Sequence, residues 1–136
     1  MVHIDARAIE AMIAHARQDA PDECCGLLIG VGQVIDEAVR VTNLERSPAR
    51  FQVNPEEHFS LVKRLRGSGR EVLGAYHSHP RTPAVPSRSD LREAFYPEFV
   101  QVIVSLARPE PETRAWRIVG ENATELRIEV TYREQA

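Results

Sequence analysis

Lysine is all but missing from this chain: Lys63 stands alone among 17 basic residues, and the rest are arginine. That bias reflects coding more than function. Basic excess is missing too, since the net charge is -3. A nucleic-acid partner is therefore not expected, because neutralising phosphates takes surplus cations. No apolar run reaches 18 residues, so no segment is long enough to span a bilayer and no membrane partner is expected. Met1-Val2-His3-Ile4-Asp5 does not place a basic segment before an apolar one, so no signal peptide is visible. Cysteine is limited to Cys24 and Cys25. Adjacent residues of a strand point to opposite faces, which works against a bridge between them. Without a disulfide framework, the expected compartment is the cytoplasm. No internal repeat and no low-complexity tract is present.

What is present suits one soluble globular domain spanning residues 1–136. Apolar residues make up 43% and charged residues 27%, which is ordinary for that class. Residues 5–18 read as a helix capped by Asp5, with Ile9, Met12, Ile13 and Ala16 on one stripe. Cys24 to Ile29 reads as a buried strand, and Gln33 to Asn43 as a second, joined as a hairpin through Gly30-Val31-Gly32. Phe51 to Val53 suggests a short strand. Asn54-Pro55-Glu56-Glu57 starts a helix that runs to about Arg66, with Phe59, Val62 and Leu65 inward. Arg70 to Ser78 reads as a strand, and 80–86, with three prolines, as a rigid loop. A short helix is expected from Ser87 to about Phe95. Strands are expected at Phe99 to Leu106, Thr113 to Val119 and Leu126 to Tyr132. This order predicts an α/β (α+β) fold: a mixed, largely antiparallel curved sheet flanked by about three helices.

The stretch His77-Ser78-His79-Pro80 carries most of the chemistry. At strand spacing His77 and His79 share a face and Ser78 points away. Two imidazoles plus a nearby carboxylate make a three-ligand zinc site with one position left for water. Asp90, in Ser87-Arg88-Ser89-Asp90, supplies the acid. Ser87 and Asp90 also match a helix capping box, and the two roles are compatible. Glu23 stands just before the first buried strand; its bland reading is a surface acid, as Asp22 beside it is read. His3, His15 and His58 lie away from this cluster and read as surface or partly packed. Cys24 and Cys25 read as strand residues, one of them facing the core, and Trp116 as a core residue.

Glu23, then His77-Ser78-His79, then Ser87 and Asp90 resembles the JAMM (MPN+) metalloprotease motif, with every position filled. Asp22 to Gly30, and Asn43 through Arg50-Phe51 to Asn54-Pro55, look like the small bacterial members. The resemblance covers most of residues 5–105 and implies an MPN/cytidine-deaminase-like fold. It implies that His77, His79 and Asp90 hold one zinc per chain, that Glu23 is the general acid/base, and that Ser87 hydrogen-bonds the oxyanion. Zinc lowers the pKa of bound water to about 7, so water would be the nucleophile. The implied substrate is the amide after the C-terminal Gly-Gly tail of a ubiquitin-like sulfur-carrier protein, from which an amino acid such as cysteine is released. Such a tail could pair along a sheet edge. A monomer or weak homodimer is expected. Two rivals follow from other classes. A catalytically inert MPN scaffold or binding module usually lacks motif residues, and this chain lacks none. Zinc deaminases use His-x-Glu and Pro-Cys-x-x-Cys, and neither is here.

Overall fold

The computed structural model describes residues 1–132. They form one eight-stranded mixed sheet and three helices in the order β1 (Val2–Asp5), α1 (Ala6–Asp19), β2 (Cys25–Val31), β3 (Val34–Val41), α2 (Pro55–Leu65), β4 (Glu71–His79), α3 (Arg88–Arg92), β5 (Val100–Ser105), β6 (Glu112–Val119), β7 (Asn122–Leu126) and β8 (Ile128–Thr131). The strands lie side by side as β7-β6-β5-β4-β2-β3-β1-β8. Antiparallel pairing joins β2 to β3 and β4, and β6 to β5 and β7. Parallel pairing joins β4 to β5, and β1 to β3 and β8. The mixed curved sheet with three helices is the expected class of fold. Its curvature has a simple cause. The edge strands β7 and β8 are separated in the chain by Arg127 alone, so the sheet must curl until its two edges come together.

Alternation along the central strands divides the interior in two. Leu28, Tyr76, Val102 and Val104 face α1, where Met12 and Ala16 are fully buried. Leu27, Ile29 and Ala75 face α2, packed with Leu61 and Leu65. Side chains of a strand alternate faces, so burial on both sides explains why β2 reads as an unbroken apolar run. Asp5 caps α1 by accepting from the Arg7 amide at 2.8 Å. Asn54 caps α2 by accepting from the Glu56 and Glu57 amides, with Pro55 at the first turn.

Several details depart from the sequence expectation. Phe59 and Val62 were expected inward, yet they are 62% and 40% exposed. The stripe that meets the sheet is Leu61/Leu65 at i,i+4, and Leu65 belongs to both stripes. Phe59 stands two residues from Leu61, about 160° around the helix. The strand at β1 was not anticipated, because four residues offer too little alternation to register. The single strand expected at Leu126 to Tyr132 is divided at Arg127, where the chain leaves β6 and joins β1. Helix α3 closes at Arg92 rather than Phe95, and Phe51 to Val53 contributes only an isolated bridge from Val53 to Asn43.

Candidate metal centre and its surroundings

The C-terminal end of β4 delivers His77 and His79 to the face opposite α1. Their Nε2 atoms lie 3.1 Å apart, and Asp90 Oδ2 is 3.1 Å from one and 3.0 Å from the other. All three residues are buried, at 2%, 3% and 8% exposure. Asp90 arrives on the first turn of α3, where it completes a capping box. The Ser87 hydroxyl accepts from the Asp90 amide at 3.1 Å, and the Ser87 amide donates to Asp90 Oδ2 at 2.9 Å. The oxygen that the cap orients is therefore the oxygen aimed between the imidazoles. Because Ser87 Oγ accepts in the cap, its own proton stays available for a further acceptor.

The loop between β4 and α3 is held from beneath. Thr82 and Ala84 carbonyls accept from the Ser105 hydroxyl at 2.6 Å and from the Trp116 indole at 3.0 Å. Trp116 is buried, as a core residue should be, and its ring nitrogen also fixes this loop. The Pro83 carbonyl lies 2.8 Å from His79 Nδ1. A carbonyl can only accept, so Nδ1 carries the proton and the neutral ring turns the Nε2 lone pair inward, toward Asp90.

That arrangement asks for a positive charge. Burial works against ionisation of Asp90, but His77, His79 and the Ser87 amide hold its carboxyl far below the ordinary range. Burial also opposes charge on His79, yet the hydrogen bonds to Asp90 and Pro83 raise its pKa. On fully enclosed His77 burial prevails and the pKa falls. Two imidazole nitrogens and an anionic oxygen thus share one point. The observed spacing of 3.0–3.1 Å is close to the ~3.3 Å between ligand atoms of tetrahedral zinc. The donors form a His-His-Asp group able to hold a metal ion, and they fit the cation that the sequence implied.

Glu23 is buried beside this cluster rather than lying at the surface. Its Oε1 has no hydrogen-bond partner. Burial first, and then the charge of Asp90, push its carboxyl up to about 8 against the pull of His79. Its main chain is tied on both sides: the amide donates to the Ser47 carbonyl at 2.7 Å, and the carbonyl accepts from Asn43 Nδ2 at 2.9 Å. Ser78, the residue between the two histidines, exchanges two bonds with Cys24, the residue after Glu23. Its Oγ accepts from the Cys24 amide at 2.8 Å, and its amide donates to the Cys24 carbonyl at 3.1 Å. Cys24 and Cys25 are both buried, and burial pushes their thiols up to about 11 and about 12. Both are therefore inert thiols.

Phe51 stacks on His77, with ring centroids 4.2 Å apart and planes 17° from parallel. The ring forms one wall of a groove of about 440 Å³ that reaches His77 and Asp90 and is lined by Val53, Tyr96 and Phe99 among others. Sequence reasoning missed Asn43, Phe51 and Ser78 as contributors. Only the placement of Asn43 between a strand and a loop hinted at a turn-forming role.

Comparison with known proteins agrees with this architecture. A family model described as prokaryotic homologs of the JAB domain matches residues 5–119. The CysO-cysteine peptidase of Mycobacterium tuberculosis is 36% identical over 130 residues, covering 93% of this chain and 89% of that protein. The desampylase of Haloferax volcanii is 32% identical over 132 residues, covering 92% and 93%. A solved structure from Desulfitobacterium hafniense superposes with a TM-score of 0.89 at 38% identity, covering 98% of this chain and 94% of that one. A curled mixed sheet with a buried His-His-Asp cluster at the end of a central strand is thus the frame of a hydrolase domain. The chain belongs to the small prokaryotic JAMM/MPN family.

Proposed function

We propose that this protein is a zinc metallopeptidase that hydrolyses the amide after the C-terminal Gly-Gly tail of a ubiquitin-like sulfur-carrier protein. The observation that carries the reading is the meeting of three buried donor atoms, with His79 locked by Pro83 so that its free nitrogen faces Asp90. His77, His79 and Asp90 would hold one zinc per chain. When bound, zinc supplies Lewis acidity that acidifies water and polarises a carbonyl. Glu23 takes the proton of the attacking water and gives it to the departing amine nitrogen as the C–N bond breaks. Glu23 is buried beside the cluster and its Oε1 has no hydrogen-bond partner, so a carboxylate oxygen is open to accept and return a proton. Ser87 donates its hydroxyl proton to the developing oxyanion while its oxygen stays in the helix cap. The groove beside Phe51 receives the tail, and glycines suit it because they carry no side chain past the buried cluster.

The names of the relatives support the substrate class: one is a CysO-cysteine peptidase, the other a desampylase. We place the working unit at residues 1–136 as a single domain, cytoplasmic and monomeric or weakly dimeric. Among the described residues no helix is long and apolar enough to cross a membrane. The test pairs two substrates. A sulfur-carrier protein bearing one extra C-terminal amino acid should be trimmed, with a free amino acid released, and an isopeptide-linked ubiquitin-like pair should be cut more slowly. Cleavage of neither by zinc-loaded protein would overturn the reading.

A further inference from the structure

We propose that Asn43 is the positioning residue for Glu23, holding the carboxylate beside the His77/His79/Asp90 cluster through the main chain. The inference rests on the role given above to Glu23. Asn43 is buried and uses its whole amide. Oδ1 accepts from the Glu45 and Gln52 amides, both at 2.9 Å. Nδ2 donates to the Arg50 carbonyl at 3.3 Å and to the Glu23 carbonyl at 2.9 Å. An amide offers two donors and two lone pairs, so none is spare.

These four bonds divide into two tasks. Three of them close the loop that follows β3 upon itself. The fourth leaves the loop and crosses to a residue 20 positions earlier, the one whose carboxylate has an unpartnered buried oxygen. The same loop also accepts the Glu23 amide at Ser47, so it holds the peptide groups on both sides of Glu23. It further carries Phe51, which lies on the ring of His77. One side chain therefore couples the placement of the acid/base to a wall against a metal-cluster ring. With no hydrogen bond at Oε1 to aim it, the Glu23 carboxylate inherits its position from the backbone. A displacement of about 1 Å in such a group costs a reaction about 100-fold.

Asn43→Asp removes the bond to Glu23 together with one of the three loop bonds. The carboxylate is nearly the same shape and keeps both acceptor bonds, but it has no N–H for Glu23 or Arg50. In zinc-loaded enzyme acting on a carrier–amino acid adduct, kcat should fall roughly 10- to 100-fold with KM within about threefold of wild type. Zinc content should stay the same, because no metal-cluster residue touches Asn43. Amide exchange at Glu23 and Cys24 should quicken while that of β5 is unchanged. Wild-type kcat, or unchanged exchange at Glu23, would overturn the inference. If the wild type cleaves no adduct, the peptidase reading fails by itself, and exchange at Glu23 still decides whether Asn43 holds it. Should Asn43→Asp not fold, Asn43→Ser serves: its hydroxyl can cap the loop at Glu45 but is too short to reach Glu23, and the same outcomes apply.

Discussion

Strand β4 presents imidazole chemistry to one side of the sheet and meets it from the other, and the two sides finish differently. Toward α1, Tyr76 lies 2.7 Å from His15 Nδ1, and His15 Nε2 lies 3.2 Å from Asp19. A carboxylate oxygen can only accept, so Nε2–H donates to Asp19 and the phenol donates to Nδ1. Both ring nitrogens are satisfied without charge. Gly26 makes this possible, because a Cβ there would fall 2.1 Å from the Tyr76 ring. Toward α3, His77 Nδ1 and Glu23 Oε1 have no partner, and two more nitrogens crowd one carboxylate oxygen. Buried polar groups are normally paired. The α1 side obeys that rule and is packing. The α3 side breaks it at one point, and there the protein can bind and react.

The contrast is broken most severely at the ligands. His77→Ala or Asp90→Ala should reduce zinc from about one per chain to none and take hydrolysis to background, since three donors are the fewest that leave one open position. His15→Ala should keep full zinc. Metal analysis of the three proteins checks this, and equal zinc in all of them would mean the ion sits elsewhere. Glu23→Gln comes next. It removes the acid/base but no ligand, so zinc should remain while kcat/KM drops about 10²- to 10⁴-fold. Undiminished turnover would remove Glu23 from the proton path.

These residues differ in how far the sequence disclosed them. His77, His79, Ser87 and Asp90 fall within 14 residues, so strand alternation and a helix cap suffice to bring them together. Glu23 was visible only through the motif, because its burial depends on a loop 20 residues away. Asn43 carried only the hint of a turn-forming residue between a strand and a loop: its partners are Glu23, just before β2, and three residues of the loop after β3, and pairing of that kind is absent from local periodicity. His15 was read as surface or partly packed, and the structure buries it. Its apolar neighbours on α1 and its acid at i+4 were legible, but its phenol lies 61 residues on. Strand order was hidden for the same reason. Nothing near Arg127 tells that the chain changes edges there.

A milder intervention turns the finished side into an unfinished one. Tyr76→Phe keeps the ring and removes only the hydroxyl, leaving His15 Nδ1 buried without its donor. The expected cost is about 1–3 kcal/mol of unfolding free energy, read by denaturant melting, with zinc binding untouched. A neutral result would mean that His15 finds another partner, and the two sides would then differ less than their hydrogen bonds suggest.

The smallest effect is in acid. Burial, aided by Arg40, lowers the pKa of His15 below its ordinary value, and the Asp19 carboxylate only partly offsets this. The unfolded chain therefore binds the proton more readily than the native one. Stability contributed by neutral His15 is complete above the unfolded value of about 6.5 and is lost as pH falls from there toward the native pKa. His77 is lowered as well, so the wild-type curve alone mixes the two sides. Subtracting the curve of His15→Gln, with both proteins in excess chelator, separates them, because sites with no shared partner add nearly independently. Wild type should lose more stability than the variant between about pH 7 and pH 5. Parallel curves would show that protonated His15 is accommodated as well as neutral His15. The closed network beneath α1 would then tolerate charge as the site above it must.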